Sequence, residues 1–165
     1  MYALYDVVGC HYLINKREVY SYMKLSGTHK FKASSVQVFN AILNPQVLQA
    51  SIPGSNAVNY VNPTSLVVDI TTSIPGLKGP YQVAINITDR REPNYVQLQV
   101  VRQGRGGSIN ATCNITIADE ADGALLNYEG NADLEGPIAI VNNPLGQGIV
   151  KNSLGSFFKN LESHM

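Results

Sequence analysis

A chain of 165 residues with twelve basic and twelve acidic side chains has no formal net charge, and its isoelectric point lies near 6.8. That length suits one domain, which buries roughly 70 % of the surface its unfolded chain would expose. The charge balance argues against nucleic acid as a partner and against strong attraction to an anionic lipid surface.

Only Cys10 and Cys113 are present, with no CxxC and no paired histidines, so no disulfide framework, metal site or cofactor is indicated. Both read as free thiols in a reducing cytoplasm. No apolar run approaches the roughly 20 residues of a membrane-spanning helix, and the N-terminus lacks a basic segment followed by an apolar one. The expectation is a soluble, cytoplasmic chain. Three sequons, at Asn86, Asn110 and Asn114, alternate with apolar neighbours and read as the wet face of strands rather than as glycosylation sites.

Residues 1–22 show neither a helical nor a strand period and are expected to form an extension, with an added edge strand as the alternative. The domain proper is expected over 23–165. From Lys24 to Lys32 the pattern is strand-like, with Leu25, Gly27, His29 and Phe31 on one face. Ser34 then offers an N-cap, and Gln37 sits at the capping-box spacing. Val36, Phe39, Ile42 and Leu43 follow at helical spacing. Asn44-Pro45 starts a second short helix, and Ile52-Pro53-Gly54 stops it.

After Gly54 the period becomes two. Leu66, Val68 and Ile70 form one apolar set, and Tyr81, Val83, Ile85 and Ile87 the next. Val96, Leu98 and Val100 follow, then Ile109, Ala111, Cys113, Ile115 and Ile117, then Leu126, Tyr128, Ala132 and Leu134. Breakers at 62–63, 75–76, 92–94, 104–107 and 119–123 leave joins too short for parallel crossovers, so the strands run antiparallel. The single apolar face needs a cover. From about Gly146 to Glu162, a helix places Ile149, Val150, Leu154, Phe157, Phe158 and Leu161 on one stripe, with Lys151, Asn152, Lys159 and Asn160 opposite. These elements predict an α+β fold of helix-grip type: a curved antiparallel sheet of six to seven strands wrapped on a long C-terminal helix, with two short helices after the first strand.

No catalytic constellation is legible. His11, His29 and His164 have no partners at a triad or metal spacing. The acidic run from Asp119 to Glu135 matches no calcium loop and reads as a solvated hairpin end. Gly104-Arg105-Gly106-Gly107 reads as a flexible turn, because no nucleotide-binding helix follows it. Arg90, Arg91, Arg102 and Arg105 read as a solvated rim.

From Met23 to Leu161 the sequence resembles the CoxG family of carbon monoxide dehydrogenase proteins, a branch of the START/Bet v 1-like (SRPBCC) superfamily. The residues that carry it are Lys24-Leu25-Ser26-Gly27, the helix from Val36 to Leu43, Asn44-Pro45-Gln46-Val47-Leu48 with Ile52-Pro53-Gly54, and the block Ile74-Pro75-Gly76-Leu77-Lys78-Gly79-Pro80-Tyr81. The resemblance implies a helix-grip fold with an apolar cavity under the last helix. It also implies a role beside molybdenum-containing CO dehydrogenase-type oxidoreductases, in membrane recruitment or in handling a lipid such as a quinone. Longer family members carry a C-terminal membrane-directed tail, whereas this chain ends just after its helix, so peripheral membrane contact is expected without an anchor.

The leading expectation is non-catalytic carriage of an apolar or isoprenoid-like ligand, such as a quinone or lipid. The alternatives are a cyclase- or hydrolase-like enzyme using Tyr81, Tyr128 or His29 in the same cavity, and an adaptor that works only through its surface. In a helix-grip domain the ligand lies between helix and sheet. The expected ligand-binding residues are therefore Phe39, Val83, Ile85, Leu98, Ile115 and Tyr128, with Leu154, Phe157 and Phe158 on the helix.

Overall fold

A computed structural model describes residues 20–72 and 78–165. Strand β1 (Tyr20–Phe31) leads into helices α1 (Ser35–Ile42) and α2 (Pro45–Ser51). Six strands follow: β2 (Ser55–Asn62), β3 (Ser65–Ile70), β4 (Tyr81–Arg91), β5 (Tyr95–Arg102), β6 (Ser108–Glu120) and β7 (Gly123–Glu135). A 3-10 turn (Gly136–Val141) and the long helix α3 (Pro144–His164) end the chain. The helix-grip architecture expected from the periodicity is the one observed.

Among the described residues the strands make one antiparallel sheet in the order β1-β7-β6-β5-β4-β3-β2. The α1–α2 pair carries the chain from one edge of the sheet to the other. Pairings such as Gly27 with Tyr128, Ile115 with Tyr128, and Leu98 with Cys113 put the apolar sets on one concave face. Register shifts between Ser55 and Ala57 and between Ile87 and Asp89 mark irregularities of the kind that bend strands. The convex face carries a polar network in which the Asn114 amide oxygen accepts from Tyr95 (3.0 Å) and Gln97 (2.8 Å), and Asn86 accepts from Ser65 (2.8 Å). The sequons at Asn86 and Asn114 lie within it.

The helix starts follow local chemistry. Ser34 Oγ accepts from the Gln37 amide, while the Gln37 side chain accepts from the Ser34 amide at 3.0 Å, the reciprocal capping box. Asn44 caps α2 with Pro45 at its first position, and Asn143 caps α3 through the Gly146 amide at 2.7 Å. Helix α3 therefore begins at Pro144, slightly upstream of the expected start. Gly54 ends the Ile-Pro-Gly stop at φ +81, where a Cβ would lie 2.0 Å from the Thr71 carbonyl oxygen, so only glycine fits.

Several expectations need correction. Tyr20, Ser21 and Tyr22 belong to β1 and not to an extension, while 1–19, with Cys10 and His11, lie outside the described residues, as does the 73–77 portion of the turn that includes Ile74-Pro75-Gly76-Leu77. Asn160, expected on the solvent side of α3, donates to the Ser51 carbonyl at 3.1 Å and ties α3 to α2. Arg102 is no rim residue. It lies on the concave face at 8 % exposure, with its guanidinium 4.6 Å from the Tyr81 ring centroid and donating to the carbonyls of Gly104, Arg105 and Gly107. The glycine-rich turn is thus folded around a buried cation.

The acidic hairpin end also has a structural task. Asp119 accepts from the Ser35 amide (2.8 Å) and hydroxyl (2.7 Å), anchoring the start of α1. Those two donors hold its carboxyl below the usual aspartate range. A depressed carboxyl stabilises above its unfolded value, about 3.9, and that contribution is lost as pH falls through the folded value. Asp119→Asn should therefore lower the urea midpoint at neutral pH, and the gap to the parent should close in acid. A gap that persists at acidic pH would show that the charge is not responsible.

Helix α3 contains glycines that no neighbour requires. A Cβ at Gly155 would meet no heavy atom within 4 Å, so Gly155→Ala should stabilise the protein by up to about 1 kcal/mol, read from denaturant unfolding.

Candidate functional site

Among the described residues the buried apolar side chains form two clusters. The larger joins α1, α2 and the end of α3 to one end of the sheet, through Val38, Phe39, Val96, Ile117, Leu126, Phe158 and Leu161. The smaller joins Met23, Ala132 and Leu134 to Ala139 and Val141 of the 3-10 turn. Between them, under α3, lies a cavity of about 650 Å³. Ligand pockets commonly measure roughly 300–1,000 Å³ and are mostly apolar.

Its floor is the concave sheet: Ile85, Leu98, Val100, Cys113, Ile115 and Tyr128. Its roof is the α3 stripe of Ile149, Val150, Leu154, Phe157 and Phe158, and α2 closes one side through Leu48 and Ile52. Among the described residues no lining side chain carries a charge. The polar groups at the wall are neutral: the Tyr128 phenol, the Cys113 thiol, the Ser153 hydroxyl, and Thr71, Thr72, Thr112 and Asn131. Burial pushes the Cys113 thiol up to about 11, so it stays protonated and unreactive. Burial, with a smaller contribution from Cys113, also raises the Tyr128 phenol.

Of the residues expected around the ligand, Ile85, Leu98, Ile115, Tyr128, Leu154, Phe157 and Phe158 stand on this wall. Phe39 does not. At 1 % exposure it fills the larger cluster, because α1 packs on the end of the β6–β7 hairpin beyond the cavity. Val83 is also off the wall: it lies on the concave side two residues before Ile85 in β4, paired with the buried Val68. Sequence reasoning missed Met23, Leu25, Ile42 and Leu66 as lining residues, although the places of Leu25 and Leu66 in the strand alternation and of Ile42 in the helical spacing were legible.

The titratable groups that could have served chemistry are dispersed. His29 stacks on Phe158 (centroids 5.5 Å apart), and burial among these rings lowers its pKa against the opposing pull of Glu162. Tyr81 is engaged with Arg102. Neither lines the cavity. Among the described residues no group of three or more His, Cys, Asp or Glu could hold a metal ion, and no helix is long and apolar enough to cross a membrane.

A curved antiparallel sheet, a long covering helix and a hollow between them define a helix-grip fold. Its family follows from a direct match: the family model of CoxG, a carbon monoxide dehydrogenase subunit, matches residues 27–165, and the chain belongs to that family. No curated protein matches it. Among solved structures, a conserved protein from Geobacillus kaustophilus superposes with a TM-score of 0.79 at 24 % identity, over 86 % of this chain and 93 % of that one. Ara h 8.0201 gives 0.59 at 12 % identity, over 87 % and 97 %. The di-domain ARO/CYC StfQ of the steffimycin biosynthetic pathway gives 0.63 at 9 % identity, over 87 % of this chain and 50 % of StfQ. At these identities the likeness shows the fold.

Phe158 and Phe157 separate the cavity's support from its wall. Phe158, 4 % exposed and in contact with four other aromatic rings, should cost about 3–5 kcal/mol when cut to alanine. Phe157 is only half-buried at the edge of the space, so Phe157→Ala should cost less and enlarge the cavity. Equal losses in urea unfolding would place Phe157 in solid core.

Proposed function

We propose that this protein holds and carries an uncharged apolar molecule, of the quinone, isoprenoid or lipid kind, without transforming it, and does so in the cytoplasm beside a molybdenum CO dehydrogenase-type oxidoreductase. The observation that carries the reading is the cavity of about 650 Å³ whose described lining residues bear no charge. Water gains little in such a space, whereas burying apolar ligand surface is favourable by roughly 25 cal/mol per Å². Family membership supports the place beside the oxidoreductase.

The enzymatic alternative requires an acid and a base facing the same substrate. The wall offers a phenol and a thiol that both hold their protons, which supports carriage over turnover. A surface-only adaptor has no use for a hollow of this size between its clusters. Native mass spectrometry after mild purification should show a bound apolar molecule, and a short-chain quinone analogue should bind saturably at one per chain. The chain has no tryptophan, so uptake can be followed by tyrosine quenching free of indole emission. A protein that emerges empty and takes up no analogue would refute carriage. Conversion of the analogue into a new product would establish the enzyme instead.

A further inference from the structure

Among the described residues Tyr128 is the one phenol on the cavity wall, and its position is set from two sides. Its ring centroid stands 5.5 Å from that of Phe158 on α3. On the other side it lies against Gly27 of β1, its cross-strand partner. A Cβ at position 27 would fall 2.5 Å from the Tyr128 hydroxyl oxygen and 2.8 Å from Cζ, so a side chain there would drive the phenol away. Glycine inside a strand weakens it and marks a place where something must approach closely. Here the thing that approaches is the tyrosine ring.

Held in this way, the hydroxyl donates to no group among the described residues. Tyr128 is only half-buried, so water can reach the hydroxyl while the cavity is open, and an apolar occupant that displaces this water without replacing its hydrogen bond loses affinity. We propose that Tyr128 is the polar anchor of the cavity, and that the occupant is an uncharged lipophile which presents a carbonyl-type oxygen to its hydroxyl. This rests on the carrier reading above and narrows it to a ligand class.

The rest of the wall sets the same limits. With no cation among the described lining residues, a carboxylate or phosphate would be desolvated without compensation, and with no anion among them an ammonium fares as badly. Burial keeps the phenol protonated through the neutral range, so it acts as a donor. A plain hydrocarbon would fill the space yet leave the donor unpaired. A neutral carbonyl on an apolar body satisfies both demands.

The test uses the full chain and three probes of equal carbon number: a long-chain methyl ketone, the alkane and the fatty acid. Each displaces an uncharged solvatochromic dye. The ketone should bind up to about tenfold tighter than the alkane, the worth of one net hydrogen bond, and the ionised acid should bind more weakly than the ketone. Tyr128→Phe keeps the ring and should bring the ketone's affinity down to the alkane's. Gly27→Ala should have the same effect with the hydroxyl still present, because it moves the oxygen. Equal binding of ketone and alkane by the parent would overturn the anchor and leave the carrier reading standing. So would an equal loss for both probes in Tyr128→Phe. Tighter binding of the acid would overturn the uncharged class, and failure of every probe would overturn both proposals.

Discussion

The structure depends on the seating of Phe158. Its ring packs with Phe31 (centroids 6.2 Å apart), His29 (5.5 Å), Tyr128 (5.5 Å) and Phe157 (5.2 Å), and with Leu161 it forms the fully buried foot of α3. Aromatic groups at these separations add to the burial of their area and fix orientation as well. At its other end α3 is seated differently. Gly146 lies so close to the Val141 carbonyl that a Cβ would be 2.2 Å from the oxygen, and Val141 belongs to the smaller apolar cluster. The helix is thus supported near both ends, and the height of these supports sets the depth of the space between.

Side-chain size along the sheet completes the hollow. On β7 the concave series runs Ala124, Leu126, Tyr128, Gly130, Ala132, Leu134, and on β6 it runs Ile109, Ala111, Cys113, Ile115, Ile117. Apart from Ala124, bulky residues stand toward the ends and small ones, Ala111, Cys113, Gly130 and Ala132, between them. Interiors normally close-pack, and a void forfeits dispersion contacts along its lining. A span of small side chains under a propped helix leaves a void that relaxation of neighbouring groups does not fill.

Much of this was legible in the sequence because it depends on period. Alternation from Leu66 to Leu134 fixed which residues face inward, since a slip of one residue would turn them all outward, and the turns pinned the register. Ser34 with Gln37, and Asn44 with Pro45, announced their helices through chemistry confined to a few neighbouring residues. Position along a strand was less legible than face. Val83 and Phe39 point inward as expected, but period alone does not reveal where packed core stops and hollow begins. Arg102 misled for a related reason: its charge suggested solvent, while its place in the Val96, Leu98, Val100 series already put it on the inner face. The carbonyls that receive it come from the following turn, and their convergence on one guanidinium arises only on folding.

The two-cluster arrangement also bears on how such a domain changes over time. A side chain facing the hollow, such as Val150 or Leu154, is bounded by packing on one side only, so a larger residue there grows into space and meets none of the strain that overpacking brings in a closed core. Changes at these positions alter the length and shape of molecule that fits, while the residues that hold the sheet and helices together stay untouched. The shape of the hollow and the stability of the fold are therefore written in largely separate sets of residues, and one can drift without dragging the other.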